Sequence, residues 1–270
     1  MAPEYKYNSP MTHRARKRFG QNFLHDPGVI SRIVSAINPS TEDHLVEIGP
    51  GQGAITEQFL PRVGRLDAVE LDRDLVRLLE SRYGDREHFH LHSADALKFD
   101  FCALAEEGEK LRVVGNLPYN ISTPLLFHLL ENSQCIRDMH FMLQKEVVER
   151  MVAGPGSKTY GRLSVMLQIR CQVQMLFPIG PGAFQPPPKV DSAFVRLTPY
   201  PHPLHQVNDI ALFGQLVTQA FSQRRKTLRN TLKGLATEKT IEDCGIDPSI
   251  RAEQLSLEQF SCLYKGIASA

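Results

Sequence analysis

Four consecutive residues, Asn116-Leu117-Pro118-Tyr119, combine hydrogen-bond acceptors with an aromatic ring in a stiff turn. The side-chain oxygen of Asn116 and the backbone carbonyl oxygen of Leu117 together offer acceptors for both hydrogens of an exocyclic amine. Pro118 restricts the turn, and Tyr119 provides a face on which a base can stack. An ordinary polar turn is the alternative interpretation.

Adenine N6 is the amine for which such a turn is best suited. Its lone pair is delocalised into the ring, so it is a weak nucleophile, and acceptors placed where positive charge develops assist its attack. A methyl group carried by a sulfonium is electrophilic, and alignment of nitrogen, methyl and sulfur supplies much of the remaining catalysis. No side chain needs to form a covalent bond, which agrees with the absence of a recognisable nucleophile–base constellation in the sequence.

A glycine-rich segment, residues 47–54, reads Glu-Ile-Gly-Pro-Gly-Gln-Gly-Ala between a predicted strand and a predicted helix. Its glycines allow backbone amides to approach a ligand closely. Gly49, Gly51 and Ala54 also satisfy the dinucleotide fingerprint, so a nicotinamide cofactor and a methyl-donating cofactor fit this loop equally well. Glu70, about 20 residues further on, is placed to accept both ribose hydroxyls, and both cofactors carry that ribose.

Two further polar groups follow or lie on the third predicted strand. Asp95 could accept a hydrogen bond from an adenine amine, but capping of a helix that starts at Ala96 explains it equally well. His88, His90 and His92 alternate along the strand and would share one face. We predict no metal site there, because no further ligand follows at a recognised spacing and a solvated strand face also explains the alternation.

Short apolar runs alternate with helical patterns through the first half of the chain, which predicts a mostly parallel sheet wrapped by helices. Right-handed connections then bring the loops after the strands to one edge of the sheet. The predicted strands are 45–48, 66–69, 89–91, 111–114 and 139–143, and the predicted helices between them are 54–62, 72–83 and 123–130.

The later part of the chain changes character. A helix over residues 163–169 precedes two predicted strands, 172–178 and 192–197, which we interpret as an antiparallel pair that closes the sheet. A proline-rich connector follows, and the remainder shows only helical periodicity. We therefore predict an α/β catalytic domain over residues 1–200 and a small all-helical domain over residues 201–270.

Net charge and composition limit the classes of partner. The chain has 270 residues and a net charge of +1, so a nucleic-acid surface must come from local clusters. On a helix predicted from Phe221 onward, basic side chains fall outside the apolar stripe, and we interpret them as phosphate contacts rather than as a merely solvated face. The predicted RNA-binding residues are Arg16, Lys17, Arg18, Arg224, Arg225, Lys226, Arg229 and Lys233.

The sequence also gives expectations for the location of the protein and for the redox state of its cysteines. No run approaches the roughly 20 apolar residues of a membrane span, and the basic N-terminus lacks an apolar core, so we expect a cytoplasmic, unprocessed, monomeric protein with no membrane association. An Arg-rich start also fits a transit peptide, although Glu4 argues against cleavage there. The five cysteines are scattered without a Cys-x-x-Cys pair, and we expect reduced thiols.

Five ordered motifs between Arg16 and Leu197 resemble those of the ribosomal small-subunit RNA adenine dimethyltransferases. They cover residues 17–24, 47–51, 116–121, 160–164 and 184–190. The resemblance implies a Rossmann-like class I methyltransferase fold and S-adenosylmethionine as methyl donor. It further implies N6,N6-dimethylation of two adjacent adenosines in a hairpin loop near the 3′ end of 16S rRNA, within the small (30S) subunit or its precursor, during ribosome biogenesis.

The resemblance also implies residue roles. Phe184 would stack on the target base opposite Tyr119. Asn22, Leu24 and Phe184 are nominated by the resemblance alone. The predicted methyl-donor contacts are Asn22, Leu24, Gly49, Gly51, Gly53, Glu70, Asp95, Ala96 and Asn116, and the predicted catalytic residues are Asn116, Leu117, Tyr119 and Phe184.

Three competing functions remain. Large-subunit 23S rRNA adenine methyltransferases share the glycine loop and a similar turn, but Leu117 and residues 184–190 favour the small-subunit family. A non-catalytic RNA-binding or assembly factor on the same fold is disfavoured because the glycine loop, Glu70 and Asn116 are intact. A nicotinamide dehydrogenase lacks an evident acid–base pair here and leaves the 116–119 turn unexplained.

Overall fold

In a computed structural model of the protein, residues 21–269 are described. Within this range the strands are β1 Phe23–Leu24, β2 His44–Ile48, β3 Arg65–Glu70, β4 Phe89–Ser93, β5 Leu111–Asn116, β6 Ile136–Gln144, β7 Cys171–Ile179, β8 Phe184–Gln185 and β9 Ser192–Pro199. The α-helices are α1 Pro27–Ile37, α2 Thr56–Phe59, α3 Arg73–Tyr83, α4 Ser122–Glu131, α5 Lys145–Val152, α6 Arg162–Gln168, α7 Ile210–Ala220, α8 Leu228–Thr231, α9 Glu238–Asp243 and α10 Leu257–Ala268.

Seven of these strands form one sheet in the order β4-β3-β2-β5-β6-β9-β7. Strands β2 to β6 are parallel, whereas β9 runs antiparallel to both β6 and β7. The predicted parallel sheet and the antiparallel pair that closes it are therefore confirmed. Because the carboxyl ends of parallel strands share one edge, the loops after β2, β3, β4 and β5 meet there.

The centre of the sheet is buried on both faces. Every residue of β2 is buried, and the adjacent Leu45 and Val46 belong to hydrophobic clusters on opposite faces. This pattern is typical of a central parallel strand covered by helices on both sides. The sheet thus forms a rigid platform for the loops at its carboxyl edge.

Two helices and a small sheet were not predicted from the sequence. The N-terminal end of α1 is capped by Asp26, whose carboxylate accepts a hydrogen bond from Val29 N, and its first residue is Pro27. Helix α5 follows β6 directly. Strands β1 and β8 pair antiparallel in a separate two-stranded sheet, with Leu24 opposite Phe184. The residues that pair between β1 and β8 lie far apart in the chain, so no local sequence pattern reveals this sheet.

The helix expected over residues 54–62 is shorter than predicted. Its α-helical part is only Thr56–Phe59, because residues 49–55 form the glycine loop and the following turn. Leu60 keeps a helical backbone (φ −44°, ψ −46°), but Pro61 has no N–H group to continue the hydrogen bonds of the helix.

The predicted continuous helix from Phe221 onward is wrong. Helix α7 ends at Ala220, residues 221–227 form turns, and α8 begins only at Leu228. Thr227 has an extended backbone (φ −79°, ψ 163°), and Leu228 N bonds to Ile250 O instead of a preceding turn. Leu228 and Leu232 are nevertheless fully buried, as the apolar stripe indicated.

The C-terminal helices share their hydrophobic core with part of the preceding region. Met166 and Ile169 pack in one cluster with Phe213, Leu216 and residues of α10. Tyr160 adds a polar link, because its hydroxyl donates to the carbonyl oxygen of Leu255 at 2.9 Å. The domain boundary after residue 200 stays a prediction, and this hydrophobic cluster contains residues from both sides of it.

The expectation of five reduced cysteines is wrong for four of them. Cys102 and Cys135 form one disulfide, and Cys244 and Cys262 form another, with Cα–Cα distances of 5.5 and 5.7 Å. Cys171 is a buried free thiol. The partners are 33 and 18 residues apart, and only the tertiary fold brings them together. Among residues 21–269, no helix combines the length and apolarity that a membrane crossing requires.

Candidate active site

A cavity of about 230 Å³ lies at the carboxyl edge of the sheet, between the glycine loop and the turn that follows β5. It is the place where most of the predicted site residues meet. Those that line it are Asn22, Leu24, Gly49, Gly51, Glu70, Asp95, Ala96, Asn116, Leu117 and Tyr119. Gly53 and Phe184 do not line it.

The glycine loop forms one wall of the cavity. Gly49 and Gly51 have φ angles of +67° and +61°, which a residue with a side chain rarely adopts. A Cβ atom on Gly51 would lie 3.1 Å from the ring of Phe23, so the loop closes tightly against β1. The loop is also tied to β3, because Gly49 N donates to Val69 O at 2.9 Å.

Gly53 has a different role from the other two glycines. Its φ is +85°, and a Cβ atom there would meet Tyr83 at 2.9 Å. Its position supports close packing of the loop against α3 rather than the predicted contact with a methyl donor. The dinucleotide-type fingerprint does not separate these two uses of glycine.

Two of the carboxylates that line the cavity, Glu70 and Asp95, end or follow neighbouring strands. Glu70, at the end of β3, accepts hydrogen bonds from Asp72 N at 2.9 Å and Gly51 N at 3.3 Å. Burial raises the pKa of Glu70, against the opposing effect of these backbone hydrogen bonds. Asp95 accepts a hydrogen bond from Leu97 N at 3.0 Å, so it caps a turn and not a helix that starts at Ala96. Its side chain belongs to the lining of the cavity as well.

These features fit a nucleoside ligand. Glycines without Cβ atoms leave room for close approach, and the carboxylates of Glu70 and Asp95 are acceptors suited to ribose hydroxyls and an adenine amine. Leu71, which is 52% exposed, adds an apolar surface at the same cavity. The residues present therefore fit the methyl donor that the sequence predicts.

The 116–119 turn forms the opposite wall. Asn116 Nδ2 donates to the carbonyl oxygen of Asn22 at 2.9 Å, which fixes the orientation of the carboxamide. No donor within residues 21–269 reaches Asn116 Oδ1 or the carbonyl oxygen of Leu117. Tyr119 is held by a hydrogen bond of 2.9 Å between its hydroxyl and Ser192 Oγ. Two acceptors and an oriented aromatic ring therefore lie together, as the residue types indicated.

Phe184 does not lie where the resemblance placed it. It is 2% exposed and belongs to the hydrophobic cluster that contains Leu24 and Ile33. The pairing of β8 with β1 directs this side chain into the core. Stacking of Phe184 on a base opposite Tyr119 therefore disagrees with its position in this structure.

Glu47 also lines the cavity, although it was not among the predicted site residues. It is 2% exposed, and Thr56 Oγ1 donates to its Oε2 at 2.6 Å. Burial raises its pKa to about 7, with the Thr56 hydrogen bond opposing this rise and the charge of Glu70 adding to it. A carboxylate inside an otherwise apolar strand was the signal that could have identified it.

The histidine run has local partners. His88 Nε2 contacts Leu60 O at 2.8 Å, and His92 Nε2 contacts Asp67 Oδ1 at 2.5 Å. In the described part of the chain no group of three or more His, Cys, Asp or Glu residues is arranged to hold a metal ion.

The predicted RNA-binding residues in the C-terminal part are exposed, but not all are unpaired. Arg224 contacts Glu253 at 3.3 Å and donates to Lys158 O, and Arg229 lies 4.0 Å from Glu238. Arg225, Lys226 and Lys233 have no ion pair within residues 21–269. Arg16, Lys17 and Arg18 lie outside the described residues.

Comparisons with known proteins agree with the sequence motifs. The chain matches the family described as ribosomal RNA adenine dimethylase over residues 12–269. It is 60% identical over 256 residues to the ribosomal RNA small subunit methyltransferase A of Pseudomonas aeruginosa, covering 95% of this chain and 96% of that protein. A crystal structure of a dimethyladenosine transferase from Plasmodium falciparum has a TM-score of 0.75 at 26% identity, covering 89% of this chain and 95% of that one. The 23S rRNA methyltransferase ErmE, at 22% identity and a TM-score of 0.72 over 92% of this chain and all of that one, shares the fold.

Proposed function

Because the chain belongs to the ribosomal RNA adenine dimethylase family, we propose that it transfers methyl groups from S-adenosylmethionine to N6 of two adjacent adenosines in 16S rRNA. The observation that carries this proposal is the pair of open acceptors, Asn116 Oδ1 and Leu117 O, beside a nucleoside-sized cavity. It is an enzyme of small-subunit rRNA modification, and each target nitrogen receives two methyl groups.

The residues of the turn act on the nucleophile. Asn116 Oδ1 and Leu117 O accept hydrogen bonds from the two N6 hydrogens, which favours the geometry and charge that the nitrogen acquires as it attacks. The donor supplies a methyl group that its sulfonium makes electrophilic. Glu70 and Asp95 would hold its ribose and adenine, so that the remaining work is alignment of the reacting atoms.

The target base must leave its stack to reach this turn. A hairpin loop makes this step less costly, because its bases are already partly unpaired. The ring of Tyr119, fixed by its bond to Ser192, offers a stacking surface that offsets part of that cost. With Phe184 in the core, Tyr119 is the aromatic residue on which we base this role.

Phosphate contacts would come from the basic residues outside the cavity. Arg225, Lys226 and Lys233 are the strongest candidates in the C-terminal region, since they are exposed and lack acidic partners in the described chain. The N-terminal basic cluster at residues 16–18 belongs to the same proposal. A monomeric state, a cytoplasmic location and the domain limits 1–200 and 201–270 remain predictions.

Two other functions can be separated from this one. Methylation of 23S rRNA is disfavoured, since a relative that is 60% identical over nearly the whole chain is named for the small subunit. A role only in assembly is disfavoured because the cavity, Glu70 and Asn116 are intact.

A single assay tests the proposal. Purified protein is incubated with methyl-labelled S-adenosylmethionine and with immature small subunits, naked 16S rRNA or large subunits. The RNA is then digested, and the masses of its nucleotides are measured by mass spectrometry. We expect two adjacent adenosines near the 3′ end of 16S rRNA to gain two methyl groups each. Labelling of 23S rRNA alone, or no transfer to any RNA, would reject the proposed function.

A further inference from the structure

Glu47 is a buried carboxylic acid in the lining of the cavity that we propose binds the methyl donor. It is the fourth residue of β2, it is almost fully buried, and it lines the same cavity as the glycine loop. Within residues 21–269 its only hydrogen-bond donor is the hydroxyl of Thr56. A buried carboxylate normally needs more donors or a cation to remain ionised.

The charged groups around Glu47 do not stabilise a negative charge. Glu70, at the end of the neighbouring strand β3, lines the same cavity, and Tyr83 approaches from α3. On β5 the residue directly opposite Glu47 is Val114, and Asn116 at the end of that strand lines the same cavity; neither is charged. Burial and Glu70 together raise the pKa of Glu47 to about 7.

We propose that Glu47 distinguishes the charged methyl donor from its demethylated product, by holding a proton when no cation occupies the cavity and releasing it when the sulfonium is bound. This inference rests on the proposed function, because it assumes that S-adenosylmethionine occupies this cavity. Glu47 is then a specificity-determining residue of the donor site rather than a participant in bond formation.

The proton and charge balance follows from the reaction. Methyl transfer breaks one carbon–sulfur bond and forms one carbon–nitrogen bond, which leaves a neutral thioether and releases one proton from N6 to solvent. Once the sulfonium charge is lost, Glu47 takes up one proton from solvent. The ionised carboxylate attracts the donor and not the thioether, so the preference for donor over product increases with pH.

Titration calorimetry with S-adenosylmethionine and S-adenosylhomocysteine at pH 6 and pH 8 tests the inference. The α-amino group titrates in both compounds, and its contribution to the ratio of their two dissociation constants is removed by comparing the parent protein with Glu47→Gln. In the parent protein we expect the preference for the donor to rise by up to about tenfold over this range, the limit for one group that titrates near pH 7. In Glu47→Gln, which keeps an oxygen facing Thr56, this rise should be absent.

Two further variants sharpen the test. Thr56→Val preserves shape but removes the hydroxyl that favours the ionised form, so the rise in donor preference should move to higher pH. Glu57→Gln removes a carboxylate from the exposed face of α2 outside this cavity and should behave like the parent. Thermal unfolding establishes that each variant is folded, and Thr56→Val keeps the test decisive if Glu47→Gln is not.

The outcomes are distinct. A donor-to-product ratio that is independent of pH in the parent, or one that changes with pH equally in Glu47→Gln, overturns the role of Glu47 while leaving the proposed function intact. If the parent binds neither compound at any pH, the proposed function itself fails and the inference fails with it.

Discussion

The side-chain amide of Asn116 donates a hydrogen bond to the backbone carbonyl oxygen of Asn22 at 2.9 Å. These residues are 94 positions apart in the chain, and their contact joins the end of β5 to the segment that precedes β1. Because the amide nitrogen is engaged in this way, the carboxamide oxygen is the atom left to face a ligand. Asn22, which only the family resemblance nominated, thus orients the side chain that we propose acts on the target amine.

Replacement of Asn116 should affect turnover more than binding. We expect Asn116→Ala to lower kcat by about 100- to 1000-fold, the usual effect of removing one preorganised hydrogen-bonding group from a transition state. Steady-state methyl transfer at saturating donor and small subunits measures kcat, and calorimetry measures donor affinity. Turnover at the parental rate under saturation would contradict the role of Asn116.

Gly53 should contribute to stability. An alanine there would need a φ of +85° and would place its Cβ atom 2.9 Å from Tyr83, so we expect Gly53→Ala to reduce the free energy of unfolding by about 1–3 kcal/mol. Gly154→Ala is the matched control, because no atom lies within 4 Å of its added Cβ. Urea unfolding of both variants checks this, and equal stabilities would show that the loop adapts around Tyr83.

Arg225 and Lys226 should contribute to the salt dependence of RNA binding. If each contacts one phosphate, the double change to alanine reduces the slope of log K against log salt concentration by about 2, while affinity for the methyl donor is retained. Arg77→Ala with Arg86→Ala removes two exposed charges from the region of α3 and serves as control. An unchanged slope in the Arg225/Lys226 variant would exclude these two residues from the RNA surface.

Asp138 should stabilise the fold at neutral pH and lose this effect in acid. Desolvation raises its pKa, but the Arg112 guanidinium, which donates to it at 3.0 Å, and the nearby His140, whose Nδ1 lies 3.5 Å from Oδ1, outweigh this effect and lower the pKa from 3.8 to about 2. Since the folded-state pKa lies below the unfolded value, the stabilisation is full above about pH 4 and disappears as the pH falls through about 2. We expect Asp138→Asn to cost about 2 kcal/mol at pH 7.

Chemical unfolding of the parent and Asp138→Asn between pH 7 and pH 2.5 measures this difference. The gap between the two proteins should narrow with acid. Asp85→Asn, whose side chain is 84% exposed, provides the comparison and should show little effect. A gap that stays constant down to pH 2.5 would argue against the contribution of Asp138 ionisation.

Much of the sheet could be predicted from the sequence because buried parallel strands leave local apolar runs. The predicted 45–48 and 111–114 runs fall within β2 and β5, and the loops after them carry Gly49 and Asn116 to one cavity. Residue chemistry nominated both, because residues that follow parallel strands lie at the edge of the sheet where ligands bind. Such features depend on short-range pattern and on topology rules, which the sequence contains.

Features that depend on distant contacts were missed or misplaced. A phenylalanine suits a base-stacking position and a hydrophobic core equally well. Only the pairing of β1 with β8 shows that Phe184 lies in the core. The cysteine pairs are brought together by packing that no spacing rule reveals. The basic segment after Phe221 has helical periodicity, but bonds from α8 to residues 248 and 250 interrupt the helix.

The hydrophobic cluster shared by Met166, Ile169 and the C-terminal helices has a consequence for folding. A chain ended after residue 200 would leave that face of α6 in water, so the helical segment is not a detachable module. We therefore expect the two regions to unfold in one cooperative transition, and the orientation of the basic residues relative to the cavity to be fixed before any RNA is encountered. We then expect the proposed RNA-binding residues and the cavity to be held a fixed distance apart, so that an RNA has to match this distance to place its adenosines in the cavity.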